Sequence, residues 1–195
     1  MTTANKITIF RILLIPVFIA ELLYYTHDGQ ELYRILAIAA FLLASISDGI
    51  DGYIARRYHQ FSELGRILDP LADKMLLISG IILLSLKNEP YLPRIPLWLT
   101  VTILSRDVLI VVGFFIVHHF CGRTTVRPIL LGKAAAVLQM ACVLWALLKW
   151  PADWLVRLSL ATALLTTLSG LFYLRDGIRQ LSASPHSSPT PGQPP

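Results

Sequence analysis

Six apolar runs dominate this chain, at roughly 7–25, 33–55, 68–86, 95–118, 130–149 and 153–174, each near the ~20 residues that an α-helix needs to cross the hydrocarbon of a bilayer. In lipid, every backbone N–H and C=O must be satisfied within the protein, which leaves only helices and closed barrels. The runs lack the two-residue alternation of a barrel strand. The expected fold is therefore all-α, a polytopic membrane protein with six transmembrane helices. Composition agrees: of 195 residues, 55% are hydrophobic and only 15% charged, where a soluble domain carries about a quarter. The mean hydropathy is +0.63.

Lys6 and Arg11 precede an apolar run, as in a secretory signal, but Glu21 interrupts the run, no small-residue cleavage site follows, and further spans come after. It is read as a retained first helix. Pro16 within it is a tolerable kink. No polar linker breaks the chain before its end, so residues 1–181 are expected to form one membrane domain. Residues 182–195 are Ser- and Pro-rich and are expected to be a disordered tail, dispensable for chemistry. Cys121 and Cys142 are lone cysteines without metal-ligand spacing, read as packing residues rather than a disulfide.

The formal charge of +5 is read as loop charge facing anionic lipid, with no nucleic-acid partner. Lys6, Arg11, Arg56, Arg57, Arg66, Arg123, Arg127, Arg175 and Arg179 fall at one set of span ends. Arg34, Lys87, Arg94, Lys149 and Arg157 are spread more thinly at the other. The positive-inside rule places the first set, both termini and the loop between the second and third spans in the cytoplasm, for a multi-pass protein of the cell (inner) membrane.

That loop is flanked by four carboxylates. Asp48 and Asp51, three apart, end the second span, and Asp69 and Asp73, four apart, open the third. Both spacings place the pair on one helical face, and the loop returns the chain to the same membrane side, so the four are expected to converge just inside the cytoplasmic interface. Four close anions require a positive partner. Oxygen-only ligation, without His or Cys, suits Mg²⁺ or Mn²⁺ rather than zinc, and a carboxylate-bridged metal pair is the usual device for displacement at phosphorus. A single aspartate at a helix end is more often a cap, and Asp69 before Pro70 has the form of an N-cap. Capping does not account for Asp48, Asp51 and Asp73, which lie within apolar helical patterns.

The run Asp48-x2-Asp51-Gly52-x2-Ala55-Arg56-x8-Gly65-x3-Asp69-x3-Asp73 resembles, at every defined position, the signature of the CDP-alcohol phosphatidyltransferase family. The six-span layout resembles that family over nearly the whole chain. The resemblance implies that Asp48, Asp51 and Asp69 bind two metal ions, that Asp73 completes the metal site and acts as base on the acceptor hydroxyl, and that Gly52, Arg56 and Ser62 contact the CDP moiety of CDP-diacylglycerol. It also suggests a homodimer. Asn5, Thr8, Arg11 and Pro16 resemble the opening of the family's bacterial branch that takes glycerol 3-phosphate, the phosphatidylglycerophosphate synthases. Such an acceptor needs cations, and Arg106 and Lys133 are the candidates. Arg106 and Asp107 could instead neutralise each other, and Lys133 could extend harmlessly to the interface. Ser105-Arg106-Asp107 also looks like the CDP-dependent cardiolipin synthases, which use phosphatidylglycerol. A reading from another class, a divalent-cation transporter, conflicts with a cluster at one interface and with the absence of a visible repeat.

Overall fold

The computed structural model of the chain describes residues 3–58, 63–86, 88, 90–121 and 130–182, with 3–6, 48–58, 63–67, 118, 120–121 and 180–182 as backbone only. The described residues form six helices and no strand: α1 (Thr3–Asp28), α2 (Glu31–Tyr58), α3 (Glu63–Ser85), α4 (Leu97–Cys121), α5 (Leu130–Leu147) and α6 (Ala152–Ser182). Each coincides with one of the six expected spans. Among the described residues, four helices are long and apolar enough to cross a membrane: Ile7–Asp28, Leu97–Val117, Leu130–Leu147 and Ala152–Arg179. The other two helices, α2 and α3, carry the aspartates, and Asp69, Asp73 and Lys74 charge the first half of α3.

The helices bury polar groups and expose apolar ones, as expected when the solvent is lipid. Leu13, Leu43, Val108, Phe115, Leu164 and Leu171 all lie on the outside, whereas Thr8, Arg11, Gln139, Thr162, Thr166 and Ser169 are buried. A bilayer gives no hydrophobic reward for helix association, so small residues and interhelical hydrogen bonds hold the bundle. Between α5 and α6, Gln139 Nε2 donates to Thr166 Oγ1 at 3.4 Å, and the Cys142 thiol lies 3.4 Å from Thr162 Oγ1. Gly80 of α3 lets α5 approach closely: a Cβ there would lie 3.2 Å from a methyl of Val143. The apolar centre joins α1, α2 and α3 through Phe18, Leu22, Phe41, Leu76 and Ile81, with the Phe18 and Phe41 rings 5.5 Å apart.

Chain alternation puts the start of α1, the end of α2 and the start of α3 at one end of the bundle. The other end is held by a polar clasp. Gly29 stops α1 in the left-handed region (φ 69°), its N–H bonding the Tyr25 carbonyl at 2.9 Å. Lys149 stops α5 at φ 56°, with N–H bonds from Lys149 to Ala146 and from Trp150 to Trp145, a Schellman ending. Glycine is the usual residue there. Here the lysine instead reaches across the bundle, and its Nζ lies 2.6 Å from Glu31 Oε1 and 5.3 Å from the centre of the Tyr25 ring. Arg34 Nε donates to Glu31 Oε2 at 2.6 Å, and its Nη1 donates to the Leu147 carbonyl at 3.0 Å. The Lys149 ammonium, then the Arg34 guanidinium, hold the Glu31 carboxyl down at about 2 from an ordinary 4.5.

A carboxyl whose pKa falls on folding contributes stability above its unfolded pKa and loses it as pH falls through the folded value. The melting-temperature difference between wild type and Glu31→Gln should therefore be constant from pH 7 to about 5 and shrink between about 4.5 and 2. Because Glu31 is exposed, added salt should also narrow the difference. A gap that persists undiminished to pH 2.5 would show that the clasp acts through shape rather than charge.

Candidate active site

Only four residues separate Tyr58 at the end of α2 from Glu63 at the start of α3, so the two helices run antiparallel as a hairpin. The aspartates lie at matching distances along the two helices from that connection. Asp51 lies seven residues before the end of α2, and Asp69 six residues after the start of α3. Asp48 and Asp73 each lie ten residues from those same ends. At about 1.5 Å per residue, Asp51 and Asp69 lie about 10 Å along their helices from the ends joined by residues 59–62, and Asp48 and Asp73 about 15 Å. Asp69 and Asp73 are half-buried, one turn apart on α3. Asp48, Asp51, Gly52 and Arg56 are described as helical backbone of α2, and their side chains, like the whole of Ser62, lie outside the described residues. Among the described residues, no three His, Cys, Asp or Glu side chains come together.

The N-cap reading of Asp69 does not hold. Helix α3 begins at Glu63, so Asp69 and Pro70 lie inside it. Pro70 cannot donate to the carbonyl one turn earlier, which weakens the helix beside Asp69. What holds the carboxylate is α1: Thr8, 1% exposed, donates its hydroxyl to Asp69 Oδ1 at 2.6 Å.

Arg11 also departs from expectation. It is not a loop charge but a fully buried side chain within α1, three residues beyond Thr8 and so on the same face. A guanidinium buried in a membrane helix is costly unless it faces anions or a polar cavity. Thr8 and Arg11 thus present a buried polar face on the side of α1 that meets Asp69. The signal was the recurrence of polar residues every three positions, at Asn5, Thr8 and Arg11, in an otherwise apolar run. The side chain of Asn5 lies outside the described residues.

A second charged group sits in the middle of α4. Asp107 accepts two bonds, from Arg106 Nη1 at 2.7 Å and from Lys74 Nζ at 2.6 Å, and both Arg106 and Asp107 are largely buried. The Lys74–Asp107 pair, absent from the sequence reading, ties the residue next to Asp73 to α4. Arg106 fills space that two glycines leave open: a Cβ at Gly132 would lie 3.2 Å from its Nη2, and one at Gly170 would lie 3.2 Å from its Cγ. Its guanidinium carbon stands 5.6 Å from the Tyr173 ring centre. Arg106 and Asp107 do pair, but the single charge of Asp107 is shared with Lys74, and Arg106 Nε is buried without a hydrogen-bond partner among the described residues. Lys133, next to Gly132 at the start of α5, is exposed and has no ion-pair partner among the described residues. Arg106 and the opening of α5 are thus brought together at Gly132.

The family model for CDP-alcohol phosphatidyltransferases matches residues 1–168. A CDP-diacylglycerol–glycerol-3-phosphate 3-phosphatidyltransferase of Blochmanniella floridana is 31% identical over 86% of this chain and 85% of its own length. A protein of Mycobacterium tuberculosis (strain H37Rv), named as a probable phosphatidylglycerophosphate synthase, is 34% identical over 92% of this chain and 86% of its own length. A CMP-forming cardiolipin synthase of Streptomyces coelicolor is 30% identical over 82% of this chain and 71% of its own length. With the family model spanning α1 to the middle of α6, and relatives this similar over most of their lengths, the chain belongs to the CDP-alcohol phosphatidyltransferase family.

Proposed function

We propose that the protein transfers the phosphatidyl group of CDP-diacylglycerol to glycerol 3-phosphate, giving phosphatidylglycerophosphate and CMP. The observation that carries this reading is the similarity, over at least 85% of their own lengths, to enzymes named for that reaction. The geometry supports it through the matching positions of the aspartates along α2 and α3 and the contact of Thr8 on α1 with Asp69 on α3. The positive-inside charge bias supports a cytoplasmic location for the aspartate end of the bundle, where CDP-linked and phosphorylated small molecules are found.

The residues suit a pair of hard divalent cations, Mg²⁺ or Mn²⁺. Asp48, Asp51, Asp69 and Asp73 are all oxygen donors, and Thr8 bonds one Asp69 oxygen, Oδ1, with no bond to Oδ2 among the described residues. When bound, the ions would neutralise charge on the pyrophosphate and on the leaving group. In the reaction, an acceptor hydroxyl oxygen forms a bond to the phosphorus that carries diacylglycerol. The bond from that phosphorus to the CMP oxygen breaks, and CMP leaves with the electron pair. Asp73 takes the hydroxyl proton, and Arg56, Gly52 and Ser62 hold the CDP moiety. Arg106 and Lys133 bind the acceptor phosphate. Arg106 suits this role because only its Nη1 is committed to Asp107.

The Streptomyces coelicolor relative supports a second reading, with phosphatidylglycerol as the acceptor and cardiolipin as the product. Purified protein given CDP-diacylglycerol and Mg²⁺ with each acceptor in turn decides between them by the lipid formed. The proposal expects phosphatidylglycerophosphate and stoichiometric CMP from glycerol 3-phosphate. Cardiolipin from phosphatidylglycerol, with glycerol 3-phosphate ignored, would overturn it.

A further inference from the structure

We infer that Thr8 is a positioning residue for the metal site, aiming the Asp69 carboxylate from a different helix. The inference rests on the proposed metal role of Asp69. At neutral pH a carboxylate only accepts hydrogen bonds, so the 2.6 Å contact has one polarity, with Thr8 Oγ1 donating to Asp69 Oδ1. The donor is 1% exposed and the acceptor half-buried, so water competes poorly for either partner. The bond joins positions 61 residues apart in sequence and links α1 to α3. A carboxylate at mid-helix beside Pro70 has two soft side-chain torsions. Fixing one oxygen on a β-branched hydroxyl, itself stiff at χ1, sets the carboxylate plane and leaves Oδ2 to face the site. The carboxyl-orienting partners of a metal site typically contribute about 10- to 100-fold in metal affinity or activity.

Mere cross-bridging of α1 and α3 would also place a hydroxyl on a carboxylate, so the test needs a readout that packing does not move. The measurement is Mn²⁺ binding to purified protein in nanodiscs without substrate, followed by the loss of the free-ion electron paramagnetic resonance signal, alongside thermal unfolding. Thr8→Val keeps the shape and removes the donor; Thr8→Ser keeps the donor. The expected result is a Mn²⁺ dissociation constant raised about 10- to 100-fold in Thr8→Val and within about threefold of wild type in Thr8→Ser. At saturating Mn²⁺, the KM for CDP-diacylglycerol should stay near the wild-type value in both. Should Thr8→Val fail to insert, Thr8→Ala gives the same comparison without added bulk. Wild-type binding in the donor-less variant while Asp69→Asn loses Mn²⁺ overturns the role of Thr8 alone, as does Thr8→Ser binding as weakly as Thr8→Val. Wild-type binding in Asp69→Asn overturns the metal role of Asp69, and the Thr8 inference with it.

Discussion

Asp48→Asn, Asp51→Asn and Asp69→Asn should each reduce turnover by about a thousandfold or more while the protein remains folded. Loss of a metal-ligating charge at a phosphorus-displacement site removes several kcal/mol of transition-state stabilisation, and each 1.36 kcal/mol is tenfold in rate. Asparagine is nearly isosteric with aspartate, so packing at the α2–α3 hairpin is undisturbed. If the four carboxylates converge as proposed, removing one of them should also relieve repulsion when no metal is bound. The combined signature is specific: activity collapses, yet the melting temperature in a chelator is unchanged or raised. A wild-type rate at ordinary Mg²⁺ in any one variant removes that residue from the site. A fall in chelator melting temperature that parallels the loss of activity would instead make the aspartates structural.

Lys133→Gln should raise the KM for glycerol 3-phosphate about 10- to 100-fold and leave that for CDP-diacylglycerol unchanged, because a charge-assisted contact to phosphate contributes on the order of 1.5–3 kcal/mol. Lys133 is the cleaner probe, since it is exposed and no ion pair is lost with it among the described residues. Arg106→Gln should show the same acceptor selectivity together with reduced stability, because the guanidinium also packs against Gly132, Gly170 and Tyr173 and bonds Asp107. Asp107 would still keep Lys74 as a partner, so the variant does not strand a buried charge. Arg106→Lys separates the two effects: it restores charge but not the planar fork. Steady-state kinetics with each substrate varied in turn make the comparison. Equal losses for both substrates would assign Arg106 and Lys133 to general electrostatics.

Much of the proposed site is legible in the sequence because its residues are close together in the chain. Asp48, Asp51, Asp69 and Asp73 lie within one hairpin, and helical spacing alone puts each pair on a face. Two local readings failed for tertiary reasons. Asp69 before Pro70 has the form of a helix start, yet α3 begins at Glu63. Proline costs a helix one hydrogen bond, which a membrane helix tolerates among neighbours. Arg11 has the form of a flanking loop charge, yet it is fully buried in α1. Sequence bias cannot tell a cation that anchors in headgroups from one that faces a polar interior.

Hydrophobic patterning by itself determined that the chain is a helical membrane bundle, because lipid forbids unpaired backbone and so admits few folds. Aspartate spacing pointed to where the proposed chemistry lies, because 3.6-residue periodicity is a local property. Only the tertiary structure decided which distant side chains meet: Thr8 with Asp69, Lys74 with Asp107, Arg106 with the glycines of α5 and α6, and Glu31 with Lys149. Those pairings join residues on different helices, and their geometry depends on how the helices rotate and approach. Small-residue packing and interhelical hydrogen bonds set that arrangement across the whole bundle, and no local stretch of sequence encodes it.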